Sequence, residues 1–194
     1  MRLVLIRHGA TEWSVSGRTD AALSATARAQ LIPLERVPRD TLGDRWDEVA
    51  VCSSPLDQAL ESARLVMGEG REFTVDSRLA EFDYGQFEGL TPEEIRALRP
   101  GWDIRFDGCP GGESVHDLER RLDAFLVDVA ALHETVVVFA HSHVIRVVAA
   151  MSVGLDASEG RIFTLDTASL SVIDNVRGRR VIQCWNVRPI DTLA

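Results

Sequence analysis

Leu3-Val4-Leu5-Ile6 constrains this chain more than any other stretch: four consecutive apolar residues that stop at Arg7-His8-Gly9 and give way at once to polar positions. Such a run has no polar face to turn toward water, so it fits a central strand covered on both sides. Residues that follow such a strand are delivered to the carboxyl edge of the sheet, where open α/β folds keep their ligands. His8, set between an arginine and a glycine at that edge, is therefore a candidate phosphate-handling nucleophile.

A second buried run, Thr135-Val136-Val137-Val138-Phe139-Ala140, ends in His141-Ser142-His143. In a parallel sheet the carboxyl ends of both strands share one edge, which brings two imidazoles together. One can attack while the other donates hydrogen bonds to the developing negative charge.

Between these strands a rhythm of strand, polar tip and helix repeats. Ser24 caps a helix over 24–31 that Pro33 and Pro38 break, and Gly17-Arg18-Thr19-Asp20 before it is a turn-rich loop. Residues 46–52 lead into a second strand, and Ser53-Ser54-Pro55 opens a helix over 56–67 with proline in its first turn. Residues 73–75 make a third strand. Residues 79–112 are aromatic, glycine-rich and acidic, a short lid insertion over the sheet with a helix start at Thr91-Pro92-Glu93-Glu94. Val115, Leu118, Leu122, Phe125, Leu126 and Val129 recur at helical spacing in a long amphipathic helix over 113–132. A helix over 144–151 follows the second histidine strand. Residues 169–173 and 181–185 flank a turn at 175–178, a hairpin that adds antiparallel edge strands. The expected fold is one α/β domain over 1–194, a three-layer α/β/α sandwich around a mostly parallel sheet.

The net charge of −9 argues against nucleic acid or an anionic membrane as partner, and no apolar run is long enough to span a bilayer. Cys52, Cys109 and Cys184 are few, odd in number and without metal-ligand spacing. With no secretory-type start, this fits a reduced, cytoplasmic protein. All 21 basic residues are arginines. The guanidinium fork matches phosphate well, but a compositional habit accounts for the usage more simply.

Leu5-Ile6-Arg7-His8-Gly9-Ala10-Thr11 closely resembles the signature of the histidine phosphatase superfamily, the phosphoglycerate mutase-like family. The resemblance continues, in order, through 23–31, Ser53-Ser54-Pro55-Leu56, the acid loop 79–89, Pro110-Gly111-Gly112-Glu113-Ser114 and Val138-Phe139-Ala140-His141. It implies that His8 attacks the phosphoryl group and becomes a phosphohistidine, that Arg7 and His141 hold the phosphoryl oxygens, and that Glu81 protonates the leaving oxygen and then activates water. Asp83 is the second choice for that acid, and Glu88 is expected to tie down Gly89-Leu90-Thr91. No metal or cofactor is implied. Thr11-Glu12-Trp13, the 81–85 stretch, Asp107-Gly108-Cys109 and 139–143 resemble the branch holding bacterial acid phosphatases and sedoheptulose-bisphosphatases. By that resemblance Thr11, Arg18, Thr19, Tyr84 and His143 contact the substrate.

Three positions depart from the family pattern. Gln58 stands where a second pocket arginine is usual, so it brings no charge to a dianion. Ser142 replaces a glycine, which adds either strain or an extra donor beside the phosphate, and Ala27 replaces another with an expected structural effect only. Arg18, Arg64 and Arg146 are the candidates to compensate for Gln58. The expected function is metal-independent hydrolysis of a small phosphorylated metabolite, such as a sugar phosphate, by a monomer or homodimer. A phosphoryl-transferring mutase and a weakened, phospho-ligand-binding member are the alternatives.

Overall fold

The structure, a computed structural model, describes residues 1–11, 17–31, 34 and 49–188. Trp13, the helix-breaking Pro33 and Pro38, and the approach at 46–48 lie outside them. The first strand, β1, spans Arg2–Arg7 and the histidine strand β4 spans Thr135–Ala140. They pair in parallel, with Leu3 opposite Val136 and Arg7 opposite Ala140. The two runs therefore end level with each other.

Strands β2 (Ala50–Ser53) and β3 (Thr74–Val75) extend the parallel side, while β5 (Leu170–Val176) and β6 (Arg179–Val187) form the expected hairpin. The order is β3-β2-β4-β1-β5-β6. The hairpin adds antiparallel strands at that side of the sheet as expected: β5 lies antiparallel against β1, and β6 forms the edge itself. β1 and β4 are thus the two central strands, which accounts for their unbroken apolar runs.

Side chains alternate across β1, so each face buries its own set. Leu3 and Leu5 join Phe82, Leu118, Leu122 and Phe125 on one side, with α5 (Val115–Leu132) and α6 (Ser142–Ser152) supplying most of that cover. Val4 and Ile6 join Ala27, Leu31, Ala63 and Val66 from α1 (Ala25–Leu31) and α2 (Asp57–Met67) on the other. Each fully buried aliphatic side chain stabilises the fold by about 1.5–3 kcal/mol relative to exposure. The result is a mixed, mostly parallel six-stranded sheet with helices on both sides.

Helix starts follow their caps. Ser24 Oγ accepts from the Ala27 N–H, and Ser114 forms a reciprocal capping box with Asp117. The helix after β2 begins later than expected. Leu56 is its extended N-cap, so Pro55 precedes the first turn rather than lying in it. Conversely, α6 begins at Ser142, immediately after the histidine.

The insertion at 79–112 carries α3 (Pro92–Leu98), which starts from the expected cap at Thr91, and a short α4 (Ile104–Asp107). Its two ends close up backbone to backbone. A Cβ on Gly85 would stand 2.4 Å from the Gly112 nitrogen, and one on Gly112 would stand 2.3 Å from the Asp83 carbonyl oxygen. No helix among the described residues is long and apolar enough to cross a membrane.

Candidate active site

His8 leaves β1 at the sheet's carboxyl edge with its backbone held from two directions. Its N–H donates to the Ala140 carbonyl at 3.1 Å, and its carbonyl accepts from the Ala168 N–H at 3.0 Å. The following Gly9 donates to Ser62 Oγ at 3.1 Å. A Cβ there would lie 2.9 Å from both the Ala27 Cβ and the Leu31 Cδ1, so glycine lets α1 pack directly against the histidine loop.

His8 Nδ1 lies 2.7 Å from the Gly9 carbonyl oxygen. A carbonyl can only accept, so Nδ1 carries the proton and Nε2 keeps its lone pair. The His8 and His141 rings are 5.0 Å apart, and His141 Nε2 lies 2.7 Å from Ser54 Oγ. His141 is 1% exposed. Burial, reinforced by the neighbouring His141 and Arg7, pushes the His8 imidazole down to about 3. Burial likewise pushes His141 down to about 4, against the pull of Glu81. Both rings are therefore neutral at neutral pH, as a nucleophile requires.

Glu81 is 8% exposed. Its Oε1 accepts from the Phe82 N–H at 3.0 Å and its Oε2 from the His143 N–H, in the first turn of α6, at 3.3 Å. Burial alone would raise this carboxyl, but the adjacent His143 and His141 and the Phe82 N–H outweigh it and hold Glu81 below the ordinary carboxylate range. Its main-chain carbonyl accepts from Arg18 Nε at 2.9 Å and Arg121 Nη2 at 3.2 Å. Arg121 in turn pairs with Glu113 at 2.7 Å.

The other acids of this loop work on the backbone. Asp83 accepts from the Gly85 N–H and pairs with Arg18 at 3.0 Å. Glu88 does not hold the 89–91 turn as expected. Two N–H groups, from Tyr84 at 2.9 Å and Arg18 at 2.8 Å, converge on its carboxylate instead.

These groups surround a cavity of about 360 Å³. Arg7, His8, Glu81 and His141 line it together. Thr11, Thr19, Gln58, Tyr84, Ser142 and His143 complete the walls among the residues singled out from sequence. Arg18 is outside the lining, its guanidinium committed to Glu81, Asp83 and Glu113. Arg7 Nη1 donates to the Leu165 carbonyl, while its Nε is buried and without a partner, a donor ready for an anion.

Gln58 is 4% exposed, and its amide is engaged: Nε2 donates to the Thr19 carbonyl at 3.2 Å and Oε1 accepts from the Ala21 N–H at 3.5 Å. It ties the 19–21 loop to α2. Ser142 sits in helical backbone as the first residue of α6, so the strain anticipated for a serine there is absent. Arg64 is exposed on α2, and Arg146 lies one turn along α6, outside the cavity lining.

Three contributors lacked an earlier assignment. Ser54 positions His141, and its place after β2 at the same edge is a signal of the kind that marked the histidines. The Arg121–Glu113 buttress, from α5 and the turn before it, and the 165–169 segment that clamps Arg7 and His8 come from distant parts of the chain and carry no local signal.

Residues 3–188 match the family model described as the histidine phosphatase superfamily, branch 1. The chain is 36% identical to an acid phosphatase of Mycobacterium tuberculosis, over 92% of this chain and 89% of that protein. It is 32% identical to the sedoheptulose 1,7-bisphosphatase of Saccharomyces cerevisiae, over 79% and 68%. The solved structure of the open reading frame Rv3214 from Mycobacterium tuberculosis superposes with a TM-score of 0.87 at 32% identity, covering 97% of this chain and 98% of that one. The chain belongs to the histidine phosphatase superfamily. Within it, the protein is a phosphatase.

Proposed function

We propose that the protein hydrolyses a small phosphorylated metabolite through a phosphohistidine on His8, without a metal ion. The observation that carries this reading is the pairing of two neutral imidazoles 5.0 Å apart in a cavity that also holds the free Arg7 Nε and the Glu81 carboxylate. The phosphoryl oxygens lie against Arg7, His141 and the N-terminus of α6, whose first N–H groups and dipole favour an anion. His8 Nε2 attacks phosphorus, the P–O bond to the leaving group breaks, and the leaving oxygen takes a proton from Glu81. Glu81 then takes a proton from water as the water oxygen attacks phosphorus and the P–N bond breaks.

Glu81 is ionised in the empty site, so its proton arrives with the substrate. A phosphate monoester retains one proton near pH 6, and a phosphoryl anion placed beside the carboxylate raises its proton affinity. General acid catalysis of this kind contributes about a hundred- to ten-thousandfold. In this reading cationic and N–H donors replace the charge stabilisation a metal would otherwise supply.

The test is rapid quenching with a phosphate-labelled aryl ester in the presence of a chelator. Wild type is expected to trap acid-labile, alkali-stable label, and His8→Ala to trap none and turn over at least a thousandfold more slowly. A strict metal requirement, or label retained by His8→Ala, overturns the mechanism. The engaged amide of Gln58 favours a second reading, a slow member that binds phosphorylated ligands. Wild-type turnover no faster than His8→Ala would establish it. Label passing to an added acceptor alcohol instead of water would make the enzyme a phosphoryl transferase.

A further inference from the structure

The peptide unit between Glu81 and Phe82 is held at both ends. Its N–H donates to Glu81 Oε1 at 3.0 Å, and its carbonyl oxygen accepts from Arg18 Nε at 2.9 Å and Arg121 Nη2 at 3.2 Å. Whatever turns this peptide plane also moves the donor that holds the carboxylate. Arg121, on α5, lies outside the cavity lining. Its guanidinium also donates to the Arg78 carbonyl, and it forks onto Glu113, Nε to Oε1 at 2.7 Å and Nη2 to Oε2 at 2.9 Å. Glu113 carries the hold further. Its Oε2 accepts from the Asp83 N–H at 3.0 Å, and its own N–H donates to the Asp83 carbonyl at 2.9 Å. One guanidinium thus fixes the acid loop at 78, at 81 and, through Glu113, at 83.

Arg18 shares the Glu81 carbonyl, but its side chain is 35% exposed and that of Arg121 only 15%. A buried, bidentate ion pair keeps its geometry, whereas an exposed cation trades its partners for water. A cation on the carbonyl oxygen also polarises the peptide unit and strengthens its N–H as a donor to Glu81. The place of the carboxyl and its hold on a proton therefore share one support.

We infer that Arg121 is a positioning residue for Glu81, acting through the Glu81–Phe82 peptide unit to aim the carboxyl at the leaving oxygen. This rests on the reading of Glu81 as the general acid. Without the guanidinium the peptide unit is free to turn and the carboxyl loses its fixed donor. Proton transfer to the leaving oxygen slows, while the attack of His8 on phosphorus does not.

Two esters of similar size test it: nitrophenyl phosphate, whose phenolate leaves unprotonated, and benzyl phosphate, whose alkoxide needs the proton. The measurement is kcat/KM, which covers the steps through departure of the leaving group. In Arg121→Met it is expected to fall about tenfold more for benzyl than for nitrophenyl phosphate, because general acid catalysis contributes about a hundred- to ten-thousandfold where a proton must be supplied. The ratio of the two values does not depend on how much enzyme is folded, so a loss of stability alone leaves it unchanged. Arg121→Lys keeps a cation near the carbonyl and is expected to restore part of the ratio. Should Arg121→Met fold poorly because Glu113 is left buried and unpaired, the double variant Arg121→Met/Glu113→Gln removes both charges and carries the same expectation.

Glu81→Gln is the reference, with a loss on benzyl phosphate at least as selective. If Glu81→Gln is selective and the Arg121 variants slow both esters equally, the positioning role is overturned and the acid assignment stands. If Glu81→Gln itself slows both esters equally, the acid assignment falls and the inference falls with it.

Discussion

At the scale of single residues, position 58 sets the charge of the phosphoryl site. An amide there brings no charge, and in this chain one of its two N–H donors is already given to the Thr19 carbonyl. Replacing it with arginine adds a cation beside the phosphoryl oxygens and at the same time releases the 19–21 loop. Losing one such donor costs enzymes about a hundred- to a thousandfold, so restoring it with the loop freed is expected to raise kcat/KM by about tenfold. Steady-state kinetics on a generic aryl phosphate check this. A variant no faster than wild type would mean that the loop tether matters more than the missing charge. Position 142 needs no compensation, because helical backbone accepts serine freely.

At the scale of elements, α1 packs closely against the histidine loop. Gly9→Ala would push a methyl group to 2.9 Å from the Ala27 Cβ and the Leu31 Cδ1. Overpacking of this kind costs about 1–3 kcal/mol, read as a lower midpoint in denaturant unfolding. In an Ala27→Gly background part of that loss should return despite the weaker helix, because the first contact is gone and the second is the end of a flexible side chain. If the double variant is no more stable than Gly9→Ala alone, the clash is not with Ala27.

The same contrast between local and distant partners explains what could be read without the structure. The β1 and β4 runs, the caps at Ser24, Thr91 and Ser114, and the placement of His8, His141 and Glu81 in one cavity all follow from patterns within a few residues. The tether of Gln58, the commitment of Arg18 to Glu81, Asp83 and Glu113, and the hold of Arg121 on the Glu81 carbonyl depend on which segments meet. Nothing adjacent to these residues records it.

At the scale of the whole molecule, buried neutral histidines make stability depend on pH. His141 holds about 4 when folded, against about 6.5 when unfolded. The unfolded chain therefore binds more protons between these values, so the contribution is complete above pH 6.5 and falls as pH drops toward 4. Each unit in that window costs about 1.4 kcal/mol from this residue, and His8 acts in the same direction. Thermal unfolding from pH 7 to 4 should show the decline, with a shallower slope in His141→Gln. An unchanged slope in that variant would assign the loss elsewhere.

The register of β1 against β4 also bears on how the protein is made. During synthesis β1 leaves the ribosome long before β4 and β5, its only neighbours in the sheet, exist. Until then Leu3-Val4-Leu5-Ile6 is an unpaired apolar strand, the kind of segment that recruits other chains. Arg7 and His8 take their backbone partners from Ala140 and from 168–169, so a chain that ends before 168 leaves the histidine loop without that support.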